Sequence, residues 1–76
     1  MEFDTLKQII AEVLGVDPDE ISEDTTFTDD LGADSLDLYQ ILLEVQDRLG
    51  VEIDEDKVQD ITTVGQALEM IEDSKN

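Results

Sequence analysis

Three stretches of this chain place apolar residues three and four apart, a spacing that restricts it to helices packed against one another. Phe3, Leu6, Ile9, Ile10, Val13 and Leu14 form the first such stripe, and Gly15 follows as its stop. Residues 36–49 form the strongest helix, closed by Gly50. The last begins at Thr63-Val64-Gly65-Gln66, whose Thr-x-x-Gln spacing is that of a capping box, and it sets Val64, Ala67, Leu68 and Ile71 on one face. Between these helices the pattern changes. Asp17-Pro18-Asp19-Glu20 reads as a turn or a single helical turn with Pro18 at its first position. Residues 21–31 are polar and rich in Thr and Asp, and are predicted to form an ordered loop anchored by Ile21, Phe27 and Leu31. Val51-Glu52-Ile53 alternates like a strand but is too short and isolated to be one, and residues 54–60 suit a short third helix. A length of 76 residues allows one domain, 1–76, with one modest core. The expected fold is all-α: a four-helix bundle with three main helices and one short helix, and a long ordered loop between the first and second.

Charge narrows the function. Asp and Glu number 22 against 4 Lys and Arg, a formal charge of −18. A field of that sign repels nucleic acid, whose binding depends on neutralising phosphates with basic side chains, and it disfavours anionic membrane surfaces. Electropositive proteins are the natural partners, because complementary charge speeds and orients encounter. Cys and His are both absent, so there is no thiolate nucleophile, no Cys-based metal site and no side chain poised to titrate near neutrality. With no base–nucleophile pair, an enzyme is not expected. The MEFDTLKQ start lacks the basic and apolar regions of a signal peptide, and no apolar run approaches membrane-spanning length, so a cytoplasmic monomer is expected. An acidic divalent-cation module is a possible alternative class. An EF-hand loop, however, requires Gly at its sixth position, and neither the run from Asp17 nor that from Asp54 supplies one. No metal ligands are assigned.

The helix over 36–49 carries two apolar stripes. At about 100° per residue, Leu38, Ile41, Leu42, Val45 and Leu49 share one arc of roughly 100° and form an ordinary core face. Leu36, Tyr39 and Leu43 form a second stripe, flanked by Gln40 and Asp47, with Asp37 and Glu44 further round. A centrally placed helix would bury both stripes. A docking helix would expose the second as an apolar ridge with an acidic margin. The two arrangements differ in the exposure of Leu36, Tyr39 and Leu43.

Ser35 stands at the start of this helix. Ser and Asp are both preferred N-caps, and Asp34 or Ser35 could be doing only that. The block Leu31-Gly32-Ala33-Asp34-Ser35-Leu36-Asp37, placed mid-chain ahead of a leucine-rich helix, resembles the phosphopantetheine attachment site of acyl carrier proteins of the bacterial, fatty-acid-synthesis type. The similarity runs nearly end to end, through Gly15-Val16, Phe27, Asp29-Asp30-Leu31-Gly32 and Ile61-Thr62-Thr63-Val64.

The resemblance implies that Ser35 carries a covalent 4′-phosphopantetheine arm, moved from coenzyme A by a phosphopantetheinyl transferase with Mg²⁺ held in the transferase–coenzyme A complex. It implies acyl intermediates borne as thioesters in type II fatty acid biosynthesis, with polyketide, D-alanyl or peptidyl intermediates as the alternative cargo. Peptidyl carriers more often show Gly-Gly-x-Ser, whereas Gly32-Ala33-Asp34-Ser35 leans toward the fatty-acid type. Asp34, Leu36, Asp37, Tyr39, Gln40, Leu43, Glu44 and Asp47 fall on the face implied to dock basic-patched synthases, reductases and acyltransferases. Leu38, Leu42, Val45, Ile61 and Leu68 are implied wall residues of an acyl pocket, and each is equally accounted for as plain core. Gln40, Gln46 and Arg48 stand where familiar bacterial members usually have Glu. Tyr39 is bulkier than the aliphatic residue common at its place, and Asp54 replaces a frequent Pro.

Overall fold

The three apolar stripes become three α-helices: α1 (Glu2–Leu14), α2 (Ser35–Leu49) and α3 (Val64–Ser74). The computed structural model describes residues 2–74, apart from the side chain of Glu55. Leu6, Ile9 and Ile10 of α1 meet Leu38, Ile41, Leu42 and Val45 of α2 and Val64, Ala67 and Ile71 of α3 in a single core. The short helix expected over 54–60 is a 3₁₀ helix, Glu55–Asp60, opened by the Asp54 carboxylate accepting from the Asp56 amide at 3.0 Å. Its sequence, EDKVQD, offers one apolar residue, Val58, and so has no stripe to support a longer α-helix. Pro18–Glu20 is a second 3₁₀ turn, with Pro18 in its first turn and Asp17 as its cap. Val51 and Ile53 both turn into the core while Glu52 is exposed, so the short alternation works in an extended segment that joins no sheet.

The Thr/Asp-rich loop is ordered through bonds between its side chains and backbone. Thr26 and Asp30 exchange two hydrogen bonds: the Thr26 amide donates to Asp30 Oδ2 at 2.9 Å, and the Asp30 amide donates to Thr26 Oγ1 at 3.0 Å. Thr25 is buried, and its Oγ1 accepts from the Ser22 amide at 2.9 Å. Short polar side chains that bond their own backbone offer the chain an alternative to helix, which is why this run leaves the helical pattern yet keeps its backbone hydrogen-bonded. Ile21 and Phe27 are buried and Leu31 is half-buried, so the anchoring expected of the first two is complete and that of Leu31 partial.

The loop also caps α3. The first amides of a helix have no intrahelical acceptor. Here the Val64 amide donates to the Thr25 carbonyl and the Gly65 amide to the Glu23 carbonyl, both at 2.9 Å. The Gln66 amide donates to Thr63 Oγ1 at 3.2 Å, and Gln66 Oε1 accepts from the amides of Thr62 and Thr63. The expected capping box is therefore present. In the other direction the Phe27 amide donates to the Thr62 carbonyl at 3.1 Å, and Thr26 and Thr63 form an isolated antiparallel bridge. This close approach explains Gly65: a Cβ there would lie 3.0 Å from the Glu23 carbonyl oxygen and 3.3 Å from the Glu23 Cβ.

Phe27 is 1% exposed, and Phe27→Ala is expected to cost about 3–5 kcal/mol, read as a lower urea midpoint. An unchanged midpoint would mean that the loop is not docked. Gly→Ala inside a helix ordinarily gains about 1 kcal/mol. Gly65→Ala is expected to lose stability instead in the same titration, because the added methyl meets the Glu23 backbone.

Candidate functional site

The start of α2 divides two roles between adjacent residues. Asp34 is the N-cap: its Oδ1 accepts from the Asp37 amide at 3.0 Å, and Asp37 Oδ2 accepts from the Asp34 amide at 3.3 Å. Ser35 is the first helical residue, is exposed, and its hydroxyl bonds to no described residue. Of the two candidate caps in the sequence, the aspartate performs the capping and the serine is left free. The approach is set from behind. The Ala33 amide donates to the Phe27 carbonyl at 2.7 Å, and Gly32 turns the chain in the left-handed region at φ 67°. Buried Phe27 and Ala33 thus fix the backbone from which Ser35 projects.

A phosphodiester fits this position. The amides of Ser35 and Leu36 have no acceptor among the described residues, and free amides at a helix N-terminus favour negative charge. The carboxylates of Asp34 and Asp37 oppose this by like-charge repulsion. Neither is bonded to Ser35 Oγ, so the hydroxyl has no base to make it a self-sufficient nucleophile. Among the described residues no three Asp or Glu side chains are grouped as a metal ion's ligands would be.

Two recesses lie along α2, and Ser35 lines the first of them. The outer one is an open cleft of about 440 Å³ lined by Thr28, Ser35, Leu38, Tyr39, Val58, Gln59 and Ile61. The inner one is a crevice of about 30 Å³ lined by Tyr39, Leu42, Leu43, Gln46, Ile53 and Val58. Of the residues implied as pocket walls, Leu38 and Ile61 line the cleft and Leu42 the crevice. Val45 is wholly enclosed in the core, and Leu68, half-buried, borders neither recess. Thr28, Val58 and Gln59 escaped the sequence reading. Thr28 is one of three threonines in a polar run, Val58 and Gln59 are single residues among charged ones, and only the folding of the 55–60 segment against α2 brings the last two there.

The second stripe of α2 is split in its exposure. Leu36 and Leu43 are 74% and 60% exposed, whereas Tyr39 is half-buried and lines both recesses. Gln40 and Asp47 are exposed on the margin of this ridge, and Asp37 is half-buried through its cap bond. Glu44 is engaged within the molecule. Arg48 Nε lies 3.3 Å from Glu44 Oε2, and Arg48 Nη2 lies 2.6 Å from Glu12 Oε2, joining α2 to α1. The hydrogen bond to Glu12, with the charges of Glu12 and Glu44, raises the Arg48 guanidinium above its ordinary range. Gln46 lies off the docking margin: it donates to the Leu42 carbonyl at 3.3 Å and accepts from the Ile53 amide at 3.2 Å. A carboxylate could make only the second bond.

Over residues 4–71 the chain matches the family model described as the phosphopantetheine attachment site, and it belongs to that family. Among solved structures it is similar to the acyl carrier protein from Enterococcus faecalis, with a TM-score of 0.78 and 29% identity over 96% of this chain and 92% of that one. These findings agree with the acyl-carrier resemblance of the residues and with the helical-bundle architecture. The chain is a carrier domain rather than an enzyme, and 4′-phosphopantetheine is the group its family's site attaches. Among the described residues no helix is long and apolar enough to cross a membrane.

The division of labour at the helix start is testable by thermal or denaturant unfolding. Asp34→Ala is expected to cost about 1 kcal/mol through loss of the cap. Ser35→Ala is expected to stay within about 0.5 kcal/mol of the parent, as a surface change that breaks no contact. Comparable losses in the two variants would return Ser35 to a structural role.

Proposed function

We propose that Ser35 is the attachment point of the 4′-phosphopantetheine arm and that the chain carries acyl intermediates as thioesters in type II fatty acid biosynthesis. The observation that carries this reading is the free, exposed Ser35 hydroxyl at the first position of α2, beside an already satisfied cap and at the mouth of the cleft. The arm supplies the one group that acyl transfer needs and this chain lacks, a thiol. Ser35 Oγ forms the bond to phosphorus and gives up its proton, while the pyrophosphate P–O bond of coenzyme A breaks and adenosine 3′,5′-bisphosphate leaves. Since no described residue hydrogen-bonds that hydroxyl, the base must come from the transferase.

Partner selection then falls to the rest of α2. Leu36 and Leu43 provide the exposed apolar contacts, and Asp34, Asp37, Gln40 and Asp47 the polar and acidic margin. Tyr39 and Glu44 reach that face only in part, the first through burial and the second through its pairing with Arg48. A basic patch on a transferase, synthase, reductase or acyltransferase complements such a margin, and docking should weaken with salt. Leu38 and Ile61, which line the cleft at Ser35, are the residues best placed to shelter cargo. The reading places the chain in the cytoplasm, acting as a monomer among these enzymes.

Intact-mass measurement after incubation with coenzyme A and a broad-specificity transferase tests the central claim. The expected result is one added phosphopantetheine on the parent chain and none on Ser35→Ala. An unmodified parent, with the same transferase active on a control carrier, would refute it.

A further inference from the structure

The cleft at Ser35 and the crevice beyond it lie in series along α2. Ser35, Leu38 and Tyr39 line the outer cleft, while Tyr39, Leu42, Leu43 and Gln46 line the inner crevice. At about 1.5 Å per residue, Ser35 and Gln46 are separated by roughly 16 Å of helix, so the crevice continues the line that begins at the serine. Only Tyr39 and Val58 line both. They approach from opposite sides: Tyr39 projects from α2, and Val58, buried at 3% exposure, projects from the Glu55–Asp60 segment.

The inner crevice is apolar in effect. Its polar member, Gln46, already bonds the Leu42 carbonyl through its nitrogen and the Ile53 amide through its oxygen. What remains is the Tyr39 ring and the aliphatic side chains of Leu42, Leu43, Ile53 and Val58 around about 30 Å³, about one water molecule's share of the liquid. Tyr39 borders both spaces, so an alkyl chain extending from the cleft into the crevice would have to pass its ring. With a smaller residue at position 39 the cleft and crevice would merge.

Resting on the reading that Ser35 bears the arm, we infer that Tyr39, braced by Val58, is a partition that confines a tethered saturated acyl chain to the outer cleft. The bulk of residue 39 then determines how long a chain this carrier shelters. The role belongs to the ring and not to the hydroxyl, which has no hydrogen-bond partner among the described residues.

The parent chain, Tyr39→Val and Tyr39→Phe are each loaded at Ser35 with butanoyl-, octanoyl- or dodecanoyl-phosphopantetheine. They are then compared with their own unacylated holo forms by methyl NMR and thermal melting. In the parent and in Tyr39→Phe, every chain is expected to move the Leu38 and Ile61 methyl signals while leaving those of Leu42 and Ile53 in place. In Tyr39→Val, dodecanoyl is expected to move the Leu42 and Ile53 signals as well, and to raise Tm further above the butanoyl form than it does in the parent. Leu42 and Ile53 signals that respond equally in all three chains, or in none, would overturn the partition. Circular dichroism checks each fold, with Tyr39→Leu taking the place of a misfolded Tyr39→Val. Failure to load the parent overturns the attachment reading and this inference with it, whereas a loaded carrier tests the partition alone.

Discussion

Backbone hydrogen bonding between the loop at residues 23–27 and the start of α3 is the constraint on which the remaining architecture depends. The Glu23 and Thr25 carbonyls take the first amides of α3, and the Phe27 amide returns a bond to Thr62. These bonds satisfy donors that would otherwise be orphaned at a partly buried helix end, where an unpaired group costs about 1–3 kcal/mol. They also hold Phe27 in the core, and the Phe27 carbonyl in turn fixes Ala33. Through that chain of contacts the position of Ser35 is decided by a helix that lies later in the sequence. The proposed attachment serine thus rests on a buried, hydrogen-bonded base although it sits at the end of a long loop.

Charge works against this compactness. A formal −18 over 76 residues is self-repulsive in the folded state, and few cations are present to relieve it. Arg48 bridges Glu12 and Glu44 at the surface, where ion pairs are typically worth little to stability. Its larger consequence is local: it draws Glu44 away from the docking margin and leaves a cation near the end of α2. The acidic character of that helix is therefore concentrated toward Ser35, at exposed Asp34 and half-buried Asp37, with Asp47 standing apart. A partner steered by charge would meet the attachment end first.

Much of the fold was legible because each helix announces itself by period and punctuation. The α1 and α2 stripes, the glycine stops, the Thr63–Gln66 box and the Ile21 and Phe27 anchors all follow from local pattern. Two features resisted. The short helix proved 3₁₀, since a single valine among charged residues cannot fix its type in advance. The second stripe of α2 could have been core or ridge, and it is divided: Leu36 and Leu43 face solvent while Tyr39 leans into the recesses. Periodicity gives the angle of a side chain on its own helix but not what the neighbouring segment covers.

The same limit governs the site. Local pattern and composition determined an acidic helical chain with Ser35 at the head of a leucine-rich helix, because helix period and turn chemistry are properties of neighbours in sequence. The carrier reading came from the resemblance of the block around Ser35. The tertiary structure decided that Asp34 and not Ser35 caps α2. It also decided that Gln46 turns inward to hold Ile53, and that Val58 meets Tyr39 between two recesses. The last two depend on how the 51–60 segment packs against α2, and such packing leaves no periodic trace in the chain. The Asp34–Asp37 exchange, by contrast, is local, and only its geometry distinguishes it from a Ser35 cap.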